Sequence, residues 1–302
     1  MIYLILIILL LVFLGIGNYF YNFSLNSKKD KSGVFKHNES GEGFSEDDED
    51  ALWFRDNKKI VNMESVTGEN VVGYEFLNKD SNLWVVVIHG YTSKGTDMSK
   101  FARNFYKMGF NVLVPDLLGH GRSGGTTITM GGIDSKDIIR WTDKISIAYE
   151  NSKILLFGIS MGAATVLNTL GKNPVNNVVA FIEDSGYVKL EELFSYQLKK
   201  LFNIPKFLVL PSASVVTKIR GKYNIKDVDA TEGIKNTNLP GLILHGDKDD
   251  FVPVENAYKV YELLNTKKEI KIFKDAIHVE AGFSDKYNYW EIVEKFVKEN
   301  VK

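Results

Sequence analysis

Gly158-Ile159-Ser160-Met161-Gly162 is the stretch of this 302-residue chain best suited to covalent chemistry. An apolar run at 154–157, with the length and composition of a buried strand, leads into Gly-x-Ser-x-Gly, and a small-residue helical pattern follows at 163–170. Strand, sharp turn and helix form the context in which this motif presents a nucleophile. So tight a turn presses the residues flanking the serine together, and Gly158 and Gly162 lack the Cβ atoms that would collide. Ser160 is then held in a strained backbone conformation with its hydroxyl at the head of a helix. The Met161 amide points to the same spot, where a helix N-terminus favours negative charge. The motif also arises by chance, so the rest of the chain has to supply its partners.

A serine hydroxyl is a weak nucleophile at neutral pH and needs a base, which in turn needs an orienting group. Of the five histidines, His37 falls in a polar stretch, and His89 and His120 precede the motif. His245 ends a buried strand beside Gly246, a place for a structural hydrogen bond. The chain order Ser, then Asp or Glu, then His leaves His278 as the base, against the alternative of a solvated loop histidine. Asp249 leads as the acid, with the adjacent Asp250 and the strand-terminal Asp184 as alternatives; Asp247 reads as a turn residue.

These residues need a scaffold that brings distant positions together. Strand patterns at 71–77, 84–89, 112–115, 178–182, 242–244 and 270–273 alternate with helical patterns at 98–108, 134–149, 257–264 and 287–297. Such alternation predicts a mostly parallel sheet with helices on both faces, an α/β class, and ligands bind beyond the carboxyl ends of its strands. There lie His89-Gly90-Tyr91, Asp116, Asp184, Asp249 and His278. Some fifty residues separate Gly186 from Leu239. They include a helical pattern at 191–202 with Leu193, Phe194, Leu198 and Leu201 near one face. We expect a helical cap at 187–238 whose apolar inner side lines an acyl pocket above Ser160; the alternative is core beneath a helical cover. Gly119-x-Gly121-x-x-Gly124 matches a dinucleotide fingerprint but runs into Thr126, Thr127 and Thr129 where a helix should begin, so it is discounted.

Taken together, His89-Gly90-Tyr91, Asp116-x-x-Gly119-His120-Gly121-x-Ser123, Gly158-x-Ser160-x-Gly162, Gly246-x-x-Asp249-x-x-Val252-Pro253 and His278 resemble the α/β-hydrolases. The resemblance runs from about residue 63 to the end and is nearest the serine-aminopeptidase/lipase-like branch. It implies Ser160 as nucleophile, Asp249 as acid in preference to Asp250, and His278 as base. It also implies the backbone amides of Tyr91 and Met161 as the oxyanion hole, His89 and Asp116 as loop organisers, and no need of a metal or organic cofactor. Val279 departs from the family's usual small residue after the histidine. The expected activity is hydrolysis of carboxylic ester or thioester bonds of small apolar acyl substrates. A serine peptidase or aminopeptidase, and a catalytically idle membrane-tethered binding protein on the same scaffold, are the alternatives.

Charge is balanced, 37 basic against 38 acidic residues, so nucleic acid is not an expected partner. The absence of cysteine excludes disulfides, thiolate metal sites and a cysteine nucleophile. Residues 2–16 carry no charge, and Tyr19, Phe20, Tyr21 and Phe23 extend them; about 20 helical residues reach roughly 30 Å, enough to cross a bilayer. No Lys or Arg precedes this run and no small-x-small cleavage site follows it, so residues 1–23 read as a single-pass membrane anchor rather than a cleaved signal. Lys28, Lys29 and Lys31 lean towards a cytoplasmic domain, but three lysines do not fix the side of the membrane. Residues 24–50, with Gly41, Gly43 and the acidic run Glu46-Asp47-Asp48-Glu49-Asp50, read as a flexible tether that contributes no core. The hydrolase domain is placed at 51–302.

Overall fold

A computed structural model describes residues 1–35, 48–170 and 177–301. Among them, eight strands form one sheet: β1 (Lys59–Glu64), β2 (Asn70–Phe76), β3 (Leu83–Ile88), β4 (Asn111–Pro115), β5 (Lys153–Ile159), β6 (Val178–Asp184), β7 (Gly241–Gly246) and β8 (Lys268–Phe273). Their order is β1-β2-β4-β3-β5-β6-β7-β8, antiparallel from β1 to β4 across β2 and parallel from there on. The central strands are buried on both faces, which is why they read as unbroken apolar runs. Trp84, Val86 and Ile88 of β3 join one core, with Ile154 and Leu156 of β5. Val85 and Val87 join the other, with Leu155 and Phe157, as a side-chain period of two requires. β1 is an edge strand with largely exposed residues, and its polar sequence hid it from pattern reading.

The helices are α1 (Ile2–Ser24), α2 (Ser32–Phe35), α3 (Glu49–Asn57), α4 (Ser99–Lys107), α5 (Asp134–Ala148), α6 (Met161–Leu170), α7 (Leu190–Phe202), α8 (Leu210–Arg220), α9 (Thr231–Asn236), α10 (Glu255–Leu263), α11 (Glu280–Phe283) and α12 (Tyr289–Asn300). Phe101 and Phe105 of α4 and Val293, Phe296 and Val297 of α12 cover one face of the sheet. Ile138, Trp141 and Ile145 of α5, with α6 and α10, cover the other. Helices α7 to α9 occupy the long connection from β6 to β7, where a single helical pattern was legible.

The N-terminal region differs from the expected tether. Leu25 and Val34 are buried in the same core as Trp84. Backbone pairing ties the segment down, Ser27 N to Thr126 O at 3.0 Å and Ile128 N to Leu25 O at 2.7 Å. The Tyr91 hydroxyl donates to Ser24 O at 2.6 Å, and Phe35 stacks on Phe251 at 5.8 Å between ring centroids. Lys31, instead of facing solvent, donates to the carbonyls of Asn22 (2.9 Å) and Asn26 (2.7 Å). Few apolar residues sit in this stretch, but they dock on a surface that already exists, which composition does not reveal. The end of the acidic run also has a structural use. Asp48 accepts the Ala51 amide at 2.7 Å and caps α3, and Arg103 pairs with Glu49 and Asp50 at 2.5 and 2.8 Å. The middle of the expected tether, 36–47, lies outside the described residues. Helix α1 itself is apolar and long enough to serve as a membrane anchor or a signal sequence.

Candidate active site

β5 delivers Ser160 and α6 begins at Met161, so the serine occupies a one-residue junction with φ of 53°. A Cβ on Gly158 would overlap the Gly162 carbonyl, and one on Gly162 would overlap the Ile88 carbonyl. Only glycine lets β5, α6 and β3 approach so closely. The strained serine is held from both sides, its amide donating to Asp184 O at 2.8 Å and its carbonyl accepting from Ala164 N at 3.0 Å.

Three loops at the carboxyl ends of the strands converge there. His278, in the loop after β8, lies with Nε2 2.9 Å from Ser160 Oγ and Nδ1 2.7 Å from Asp249 Oδ2. With Nδ1–H donating to the carboxylate, Nε2 is free to accept the serine hydroxyl. Asp249 follows β7, and its second oxygen accepts the amides of Phe251 (2.9 Å) and Val252 (2.8 Å). Burial alone would raise this carboxyl. The charges and hydrogen bonds of His278 and His245 outweigh burial and hold it well below the usual carboxylate range. His245 donates from Nε2 to Val252 O at 2.9 Å and lies 3.1 Å from Asp249 Oδ2, so it orients the loop that carries the acid. Phe251 packs on the His278 ring at 5.0 Å.

The alternative acids are engaged elsewhere. Asp250 is about half exposed and pairs with Lys200 at 2.8 Å. Asp184 accepts from Tyr289 Oη and Ser185 Oγ, both at 2.9 Å, and burial pushes it up to about 6. Asp247 accepts the Asp275 amide at 2.7 Å, a turn contact. His89 accepts the Leu117 amide on Nε2 at 3.0 Å and therefore donates from Nδ1 to Gly90 O at 2.8 Å; burial lowers it to about 4, so it stays neutral. Asp116 accepts from Gly95 N (2.6 Å), Arg122 N (2.8 Å) and Tyr74 Oη (3.0 Å). Together these two residues fix the Gly90-Tyr91 loop, which approaches Ser160 so closely that a Cβ on Gly90 would sit 3.3 Å from the serine Cβ. Met161 opens a ten-residue helix, so its amide belongs to the positive end of α6. Val279 adopts a left-handed conformation, φ 59°, as the lead-in to α11.

An apolar cavity of about 70 Å³ adjoins these loops at Tyr91 and Phe251. Leu193, Phe194, Leu198 and Phe202 of α7 line it, as the cap's apolar face predicts, with Leu210 and Ala213 of α8. Its remaining wall was not expected. Phe20, Tyr21 and Phe23 at the end of α1, with Leu25 and Val34, complete it, and Phe20 and Phe23 each meet Phe202 edge-on at 5.3 Å. Aromatic residues that in sequence only extend the apolar run thus form part of a pocket.

Glu183, buried at the end of β6, gives a test of this region's electrostatics. Oε2 accepts the Gly186 amide at 3.0 Å, Oε1 has no partner among the described residues, and burial pushes the carboxyl up to about 7. Between the unfolded value and about 7, native Glu183 keeps a proton that the unfolded chain releases. Its contribution is therefore complete at low pH and lost as pH rises through about 7. Glu183→Gln should flatten the fall in unfolding free energy from pH 5 to 8, with a gain at the upper end on the order of 2 kcal/mol. Denaturant titrations of parent and variant across that range check this, and equal slopes would contradict it.

Comparison with known proteins supports the same architecture. The profile of a hydrolase family described as serine aminopeptidase, S33, matches residues 79–236, about half of the chain. The matched segment contains Ser160 and stops before Asp249 and His278. The uncharacterized protein YqkD of Bacillus subtilis is 26% identical over 234 residues, 77% of this chain and 77% of that one. A monoglyceride lipase homolog of monkeypox virus is 25% identical over 231 residues, covering 64% of this chain and 80% of its own. The structure of a Pyrococcus furiosus esterase superposes with a TM-score of 0.66 at 23% identity, covering 87% of this chain and 98% of that one, a likeness of fold.

Proposed function

Since the chain belongs to the serine aminopeptidase (S33) family of α/β-hydrolase enzymes, we propose that it cleaves carboxylic ester or thioester bonds of small apolar acyl substrates through an acyl-enzyme on Ser160. The observation that carries this reading is the hydrogen-bonded series Ser160, His278, Asp249 beside an apolar cavity. Ser160 Oγ attacks the substrate carbonyl as its proton passes to His278 Nε2. Asp249 holds the tautomer and stabilises the imidazolium that forms. The amides of Tyr91 and Met161 receive the oxyanion, each contributing about 3 to 4 kcal/mol by analogy with other such donors. His278 then gives its proton to the departing alkoxide or thiolate. Water, deprotonated by the same nitrogen, attacks the acyl-enzyme and releases the acid and free Ser160.

The pocket favours ester over peptide chemistry. An aminopeptidase must bind a substrate ammonium, and among the described residues no charged one lines this cavity. Each methylene that enters it adds up to about 0.8 kcal/mol of binding. Across nitrophenyl esters from acetate to palmitate, kcat/KM should rise to a maximum at short to medium chains, and an aminoacyl anilide should turn over far more slowly. A flat ester series with faster anilide cleavage would replace this reading with the peptidase. In the same proposal, α1 acts as a single-pass anchor, and the enzyme meets its substrates beside a bilayer.

A further inference from the structure

Only the first part of α1 stands clear of the rest of the protein. The large apolar residues from Ile2 to Val12 are all well exposed, as is Ile16 to a lesser degree, while Gly17 is already pressed against Ser212 of α8. A bilayer that takes up this exposed apolar run has its margin at the residues that lie alongside α8.

α8 runs parallel to this part of α1. Near its start, Ser212 Oγ donates to the Phe13 carbonyl. At its end, Arg220 donates to Asn18 (2.5 Å) and Asn22 (3.2 Å) and lies over the Tyr21 ring at 4.2 Å. The start of α8 and the single turn before it therefore lie towards the apolar end of α1. The side of α8 turned to solvent carries Pro211, Val215 and Ile219, spaced four apart, and Phe207 and Leu208 of the turn before it are exposed as well. Phe207 is 70% exposed and Ile219 69%. Lys218 and Lys222 flank the stripe in exposed positions, and the cap segment 187–238 holds nine basic against five acidic residues in a chain otherwise slightly acidic.

We propose that this outer face of α8, with Phe207 and Leu208, is a second membrane contact that seats the cap in the bilayer interface alongside α1. The occupant is a lipid surface, favoured by three observations: the exposed apolar run of α1 that leads to this face, the parallel packing of α8 on α1, and the exposed Lys218 and Lys222 beside the stripe, suited to anionic headgroups. This seating sets the pocket wall formed by Phe20, Phe23, Phe202 and Leu210 at the membrane margin. The proposal rests on the reading of α1 as an anchor and is independent of the reaction at Ser160.

The chain has no cysteine, so a single introduced thiol can carry a nitroxide label. The full-length protein is placed in phosphatidylcholine–phosphatidylglycerol vesicles with the label at Leu208→Cys, Ile219→Cys, Leu9→Cys or Ile147→Cys. Ile147 is an 83% exposed isoleucine at the end of α5, remote from the cap. Collision rates with oxygen, which concentrates in lipid, and with a water-soluble nickel chelate are compared by electron paramagnetic resonance. The oxygen-to-nickel ratio at 208 and 219 should exceed that at 147 several-fold and approach that at 9. A ratio at 208 and 219 equal to that at 147, with Leu9 in lipid, overturns the docking face and leaves the anchor standing. An aqueous ratio at Leu9 as well overturns both.

Discussion

Ser160→Ala should reduce kcat on a short nitrophenyl ester by about 10⁴ to 10⁶-fold, and His278→Ala should cost about as much. The two groups act as one unit, the hydroxyl 2.9 Å from Nε2, so the double variant should lose little beyond either single one. The residual rate would reflect binding and the oxyanion donors alone. Folding should survive. The serine is a small side chain, and Gly158 and Gly162, which make the turn possible, are untouched. Single-turnover kinetics with unfolding midpoints for all three variants test this. Losses that multiply in the double variant would show that the residues do not share a step.

Asp249→Asn should cost about 10³ to 10⁴ in kcat, whereas Asp250→Asn should change it by no more than about twofold. The difference lies in the donors around each side chain. Asp249 is met by donors only: the Phe251 and Val252 amides on Oδ1, and His278 with His245 on Oδ2. An asparagine has one acceptor oxygen and one NH₂, so either orientation sets N–H against N–H. If the amide faces His278 it enforces the wrong tautomer; if it faces the loop it disrupts the turn that carries residue 249. Loss of stability on the order of 1 to 3 kcal/mol should accompany the kinetic defect. Asp250 loses only a half-exposed pairing with Lys200. A larger kinetic effect at 250 than at 249 would reverse the assignment of the acid.

The parts of this molecule legible in its sequence are those where backbone sterics and local pattern coincide. The strands feeding the site are buried on both faces and read as apolar runs, and Gly158 and Gly162 mark a turn that no other residue can make. Chain order, with the buried strand-end place of His245, left His278. Three features were hidden for physical reasons. β1 is an exposed edge strand without an apolar signature. Helix α8 carries apolar residues on two sides, Leu210, Ala213 and Val216 inward and Val215 and Ile219 outward, so its sequence does not separate into one apolar and one polar face. The packing of Leu25, Val34 and Phe35 depends on a surface built from Tyr91, Ile128 and Phe251, far away in the chain. No local pattern announces such a surface. The pocket wall supplied by α1 belongs to the same class: Phe20 and Phe23 are legible as aromatic, and their partner Phe202 is not.

The central claim, that Ser160 is the residue acylated in turnover, is tested most directly by covalent capture. The full-length protein is treated with a fluorophosphonate, which phosphonylates an activated serine hydroxyl with loss of fluoride, and the modified peptide is located by mass spectrometry. One adduct is expected, on the peptide containing Ser160, formed as ester turnover disappears, absent from Ser160→Ala and strongly slowed in His278→Ala. An adduct on another serine, or equal labelling of Ser160→Ala, would contradict it.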